Sequence, residues 1–340
     1  MSMRSKPTLP QQDSPYTDLA PVQLWLPRAS LTACIRAIVA RSSVGITLGE
    51  SQRYNHFPAY PGCSIAWLFE GTVEMLEPGL PAHASSPRRD VPGRVYFCGP
   101  FTRPTITFNS ESAHGMMILL QPDAFSALTG QDSSAYLNQV VAADKVFGAT
   151  WRAMFCAVQS ATNDSSRVAI IEAFLQPRWA LSRPKNFIGS HVLQDWLRGA
   201  VQYLAVSGFG RSVRQLERRF KRHTGLSMRE LRSLTRSENA FYVAARDSDN
   251  GKRGAPRWAD VADEGGYADQ SHLCRESRRV TGFSPDELYR LTCTEESFWM
   301  YRLWALTISR QPDDTLTAQA DFSRREANLT DSSSQARTNR

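Results

Sequence analysis

The sequence predicts an α+β chain: a small punctuated sheet or barrel with helices in the amino-terminal half, then an all-α half of two helix-turn-helix units joined by a linker helix. Three observations carry this. Short apolar runs broken by glycine and proline fill the first 120 residues, a 20-residue unit recurs after 57 positions near the carboxy terminus, and positive charge is concentrated on the first copy of that unit. A length of 340 residues suggests about two domains, and 41% apolar with 21% charged residues is ordinary for a folded chain.

From the amino terminus, residues 1–18 are polar and proline-containing and read as a disordered leader. Arg4 and Lys6 are followed by polar residues where a signal peptide would be apolar, so a cytoplasmic, reducing setting is expected. Residues 19–182 read as one domain. The strand candidates are Ile65 to Phe69, Thr72 to Leu76, Arg94 to Cys98, Thr105 to Phe108 and Met116 to Leu120, with Glu70-Gly71 as a hairpin turn. Helical spacing follows at Ala124 to Leu128, Trp151 to Val158 and Ile170 to Leu181, the last with Ile171, Phe174 and Leu175 on one face. Trp67, Tyr96 and Phe101 are either core aromatics, the commoner case, or the lining of a ligand cavity.

In the second half, Leu197, Val201, Leu204 and Ala205 form a helical face ahead of a glycine-rich turn. Offsetting the chain by 57 lays Ser212 to Leu231 over Asp269 to Leu288 with eight identities, among them Leu216 with Leu273, Thr224 with Thr281 and Gly225 with Gly282. Each copy has an N-cap, Ser212 or Asp269, a glycine that ends the helix, and a capping box, Ser227 to Glu230 or Ser284 to Glu287. Val213, Leu216 and Phe220 form an inward face in the first copy, and Leu273 and Val280 in the second. Trp258, Val261 and Ala262 with Gly265-Gly266 supply a helix and turn before the second copy, and Leu226 to Ala245 reads as one linking helix. Residues 309–340 are too polar to bury a core and read as a disordered tail.

Nine basic residues against two acids lie between Arg211 and Arg236, so this window carries the whole formal net charge of +7. Such a field suits a polyanion, nucleic acid before membrane, since aromatic anchors are missing; a merely solvated helix face is the plainer alternative. RNA is disfavoured because no aromatic platform interleaves the cations. No run is long and apolar enough to span a membrane, so no membrane partner is expected. The six cysteines and six histidines show no ligand spacing, and nucleotide-loop and hydrolase signatures are missing; no metal, cofactor or catalytic residue is assigned.

These residues resemble one family, the AraC-type transcriptional regulators. The resemblance covers about Asn186 to Leu291 and rests on Ser212-Val-Arg-Gln-Leu-Glu-Arg-Arg-Phe220, Thr224-Gly-Leu-Ser227, Gly266-Tyr-Ala-Asp-Gln-Ser-His-Leu273 and Thr281-Gly-Phe-Ser-Pro285. It implies a DNA-binding domain over residues 186–304 and a cupin-like sensor or dimerisation domain before it. It places base-reading residues at Arg214, Glu217 and Arg218 and at Gln270, Ser271, His272 and Arg275. Phosphate contacts are expected from Arg211, Arg219, Lys221, Arg222, Arg229, Arg232, Arg278 and Arg279. Double-stranded DNA is the expected partner. RNA polymerase and a small-molecule effector of unknown identity stand as further candidates, with monomer and homodimer both open. Ser277 departs from the family, which usually has an aromatic there, so the second unit is expected to be less stable. The rival function is a DNA-docked repair methyl acceptor or other enzyme using an activated Cys63 or Cys98.

Overall fold

The computed structural model describes residues 20–183, 193–206, 213–249, 256–308 and 315–317. The leader lies outside them. The described amino-terminal half holds ten strands: β1 (Val22–Trp25), β2 (Ile35–Ser42), β3 (Tyr54–Phe57), β4 (Ser64–Glu70), β5 (Glu74–Leu76), β6 (Arg88–Asp90), β7 (Val95–Cys98), β8 (Thr105–Phe108), β9 (His114–Leu120) and β10 (Val140–Ala142). With them come α1 (Ala124–Thr129), α2 (Ala143–Val146), α3 (Ala149–Ser160) and α4 (Asp164–Ser182). The second half is helical: α5 (Leu193–Val206), α6 (Val213–Thr224), α7 (Met228–Asp249), α8 (Trp258–Glu264), α9 (Gln270–Thr281), α10 (Pro285–Thr294) and α11 (Trp299–Ile308).

The strands form two antiparallel sheets, in the orders β10-β7-β4-β9-β2-β1-β11 and β3-β8-β5-β6, where β11 is Thr315–Thr317. The fold class is therefore α+β, as the sequence predicts. Period-two alternation sorts the large sheet's side chains. Ile65 and Trp67 of β4, Phe97 of β7, and Ile118 and Leu120 of β9 pack into a core with Phe125, Phe155, Ile171, Leu175 and Trp179 of the helices. Their neighbours Ala66, Tyr96, Cys98, Met117 and Leu119 face the other way, into a cavity shared with the small sheet. Trp67 is thus core, whereas Tyr96 and Phe101 line the cavity.

Several expectations are corrected. Glu70-Gly71 is not a hairpin, because β4 and β5 belong to different sheets; Gly71, at φ +76°, carries the chain from one to the other. A Cβ there would stand 2.3 Å from the carbonyl oxygen of Ser112, so glycine is required. In α5 Leu197 packs inward as expected, together with Leu193, Trp196 and Ala200, while Val201 is exposed and the side chains of Leu204 and Ala205 lie outside the described residues. That set follows the 3.6-residue period one step back from the expected stripe. The tail is not structureless throughout: Thr315–Thr317 pair with the free edge of β1, which offers unpaired backbone groups to a β-branched stretch.

The two halves are packed together. Trp299, Met300 and Leu303 of α11 share a core with Val22, Leu24, Ala37 and Val39 of the large sheet. Arg36 of β2 and Glu238 of α7 form an ion pair with both side chains 3% exposed. Glu296 accepts from Arg41 at 2.8 Å and Arg302 at 3.0 Å, and Asn55 accepts from the Trp299 indole at 2.9 Å. His56 stacks on Phe298 with ring centres 4.3 Å apart. Finally, the Trp196 indole donates to Asp123 at 2.9 Å.

Candidate nucleic-acid interface and inner cavity

The two repeats fold as two helix-turn-helix units. In the first, Gly225 takes φ +74° and its N–H donates to the Lys221 carbonyl at 2.9 Å, closing α6. Ser227 and Glu230 then cap α7 reciprocally: the Ser227 N–H donates to Glu230 at 2.8 Å and the Glu230 N–H to Ser227 Oγ at 3.3 Å. In the second unit, Asp269 accepts from the His272 N–H at 2.6 Å, Gly282 takes φ +88°, and Ser284 caps α10 through the Glu287 N–H at 3.4 Å. α8 and α9 are joined through Gly266 at φ +72°. Phe220, Leu273 and Val280 are buried as expected; the side chains of Val213 and Leu216, and all of Ser212, lie outside the described residues.

Arg214, Glu217 and Arg218 are exposed on α6, and with Lys221 they border an open concavity completed by Ser227, Met228 and Arg229 at the start of α7. Gln270, Ser271 and Arg275 are exposed on α9. His272 is half-buried, with its ring edge-on to Tyr267 at 5.3 Å, so it shares its surface with the turn that holds α9. Among the phosphate candidates, Lys221, Arg222, Arg229, Arg232 and Arg278 are exposed. Arg279 is partly exposed and tied down on one side, donating to Ser233 of α7 and to Glu276 at 3.2 Å, where it links α9 to the linker helix. Arg211 and the Arg219 side chain lie outside the described residues.

Ser277 does not leave a polar group stranded. Its hydroxyl donates to the Phe283 carbonyl at 2.8 Å, and Thr281 Oγ1 receives the Phe283 N–H at 3.1 Å, so the end of α9 is closed by hydrogen bonds where the first copy has the Phe220 ring. Phe283, within the same copy, packs edge-on against two rings from outside it, His56 at 5.7 Å and Phe298 at 5.1 Å. Ser277 is thus satisfied within its own copy of the repeat, by the Phe283 carbonyl six residues on.

The C-terminal ends of both helices lie against the amino-terminal half. A Cβ on Gly225 would be 3.4 Å from Pro100 and Ser134, one on Gly282 would be 3.7 Å from Pro104, and the Ala59 N–H donates to the Val280 carbonyl at 2.9 Å. The opposite ends, which carry the candidate base-reading side chains, are exposed.

The cavity between the sheets has a volume of about 110 Å³ and is mainly apolar. Arg36, on its wall, reaches Glu238, and Met300 and Leu303 enter from α11. Cys63 is buried, and burial pushes its thiol well up; burial likewise pushes Cys98 up to about 12. A thiol that is to act as a nucleophile needs the opposite shift. Among the described residues no group of three or more His, Cys, Asp or Glu could hold a metal ion, and no helix is long and apolar enough to cross a membrane.

Two capped helix-turn-helix units braced on one long helix define a DNA-binding module. A family model described as a helix-turn-helix domain matches residues 206–290. That part of the chain is an AraC-type helix-turn-helix domain, the DNA-binding part of a transcription regulator. No curated protein matches the chain significantly. Among solved structures it is similar to ToxT of Vibrio cholerae. A ligand-free variant gives a TM-score of 0.36 at 11% identity, over 74% of this chain and 95% of that one. A structure at 1.65 Å gives 0.32 at 12%, over 69% and 93%. A form bound to unsaturated fatty acid gives 0.30 at 12%, over 80% and 94%.

Proposed function

We propose that the chain is a sequence-specific transcriptional regulator that reads adjacent major grooves with α6 and α9, under the control of its amino-terminal half. The observation that carries this reading is the joining of two recognition helices, each with exposed polar and cationic side chains, by one continuous helix. α7 has 22 residues, about 33 Å at ~1.5 Å per residue, close to the ~34 Å between successive major-groove faces. Arg214 and Arg218 suit guanine edges and Gln270 suits adenine, while Glu217, Ser271, His272 and Arg275 complete the base-reading set. Lys221, Arg222, Arg229, Arg232 and Arg278 would neutralise phosphates and make affinity steeply salt-dependent. One chain then suffices for an asymmetric site.

The test is selection of bound duplexes from a random DNA pool at near-physiological salt, followed by sequencing. Two informative blocks about one helical turn apart are expected. A single block would remove base reading from one unit, and binding without enrichment would reduce the module to an electrostatic dock.

A further inference from the structure

The edges of the two sheets are protected unequally. At the ends of the small sheet, β6 carries Arg88, Arg89 and Asp90, and His56 and Phe57 of β3 pack against Phe298 and Trp299. At one end of the large sheet, β10 is three residues long and runs straight into α2. Charge, a covering element and shortness are the ordinary defences of a strand edge. At the other end, β1 reads Val22-Gln23-Leu24-Trp25, without a charge, and its edge is covered by Thr315–Thr317 of the tail. We propose that this edge is an interface for a second copy of this chain, joined β1 to β1, and that Thr315–Thr317 form a detachable guard strand that keeps it closed.

The register shows which groups the guard covers. The Ser42 N–H donates to the Pro21 carbonyl at 3.1 Å, and β1 pairs with β2 so that Val22 faces Arg41 and Gln23 faces Ala40. Hydrogen-bonded pairs alternate along an antiparallel ladder, so Gln23 and Trp25 bond to β2 while the main-chain groups of Val22 and Leu24 point outward. Leu316 stands opposite Leu24, and these two residues exchange both bonds. Among the described residues, the guard meets Leu24 and does not reach Val22.

The same edge is complementary to itself. Two copies related by a two-fold axis through Gln23 set Val22 of each opposite Leu24 of the other, which makes two bonded pairs where the guard makes one. Gln23 then faces its own counterpart on the axis, and no charge on β1 opposes the approach. α11 packs on the face of the sheet at Val22 and Leu24, not on this edge.

What keeps the interface closed is the tether. The guard follows α11, whose Trp299, Met300 and Leu303 share a core with Val22 and Leu24, so it is held beside its site and competes as an intramolecular partner at high effective concentration. A guard of three residues is still weak, and a change that lowers its strand propensity gives the edge to the second copy. The pairing involves no residue assigned to DNA contact and goes beyond the regulator reading.

The experiment is sedimentation velocity of the full chain and its variants over one dilution series. Leu316→Pro removes the N–H that Leu24 accepts; it should raise the particle mass about twofold over the wild type at equal concentration. Adding Gln23→Lys sets two lysines face to face on the axis and should return the mass to the wild-type value, whereas Gln23→Lys alone should change nothing. Thr315→Gly with Thr317→Gly lowers strand propensity without proline; it should act as Leu316→Pro does, and decides the matter if the proline variant fails to fold. A wild-type mass in both guard variants would overturn the guard and the interface together. A raised mass that Gln23→Lys does not reverse would overturn the β1-to-β1 pairing, and a fall in mass on Gln23→Lys alone would overturn the guard.

Discussion

Arg218 and Lys221 lie three residues apart on α6, both exposed, yet they are assigned different work. Arg218→Ala should cost about 1 to 3 kcal/mol on the selected duplex and relax discrimination at one base pair. Lys221→Ala should weaken binding to every sequence and lower the salt slope by about one. Affinity measured on matched and mismatched duplexes across salt separates them; equal losses on all duplexes in both variants would refute base reading by Arg218. Ser277→Ala should destabilise the chain by about 1 kcal/mol, because it removes the donor to Phe283 from a buried position. An unchanged urea midpoint would mean that this hydrogen bond contributes nothing net. The exposed cations were legible in the sequence, since a charge on a capped helix faces solvent unless something covers it. The service of Arg279 as a clamp on the linker helix was not legible: its partner Ser233 is 46 positions away.

At the scale of elements, α7 does more than set a spacing. Glu238 places a carboxylate in the interior, where it meets Arg36 from β2. Breaking such a pair leaves a buried charge, so Glu238→Leu should cost about 3 to 5 kcal/mol. The double variant Arg36→Met with Glu238→Leu should recover most of that loss, since neither charge is then stranded. Denaturation of the four proteins of this cycle gives the coupling energy; additive losses would mean that the pair acts independently. The caps of α6, α7, α9 and α10 were readable in advance because each is a local device spanning three or four residues. β2 was missed for the converse reason: most of it is buried on both faces, so its sequence shows no alternation for a reader to find.

Across the whole molecule the two halves meet over groups that titrate in opposite senses. Burial against Phe298 and Phe283 lowers His56 from 6.5 to about 4, so this residue is neutral in the folded chain and its contribution is lost as pH falls from 6.5 toward 4. Burial raises Asp123 from 3.8 to about 6, against the hydrogen bond from Trp196, so its contribution is lost as pH rises from 3.8 through 6. Each shift corresponds to roughly 3 kcal/mol at most, and the two nearly cancel in the wild type between pH 4 and 6. His56→Phe keeps the stacking and removes the first, so the variant should gain on the wild type by up to about 3 kcal/mol as pH falls from 7 to 4. Thermal midpoints at pH 7, 5.5 and 4.5 check this, and a gap independent of pH would show that His56 does not titrate on unfolding.

The sequence by itself determined the local and repeated features: the α+β class, the two capped units, the linking helix and the exposed cationic surface of α6 and the start of α7. Those depend on periodicity, caps and charge within a few residues, and on a repeat that shows each of them twice. Only the tertiary structure decided that Tyr96 faces a cavity while Trp67 is core, that Phe283 of the second copy packs against His56 and Phe298, and that α11 and Glu238 bind the two halves together. Each of these depends on which distant strand or helix lies opposite a side chain, and that pairing is fixed by the packing of the whole chain.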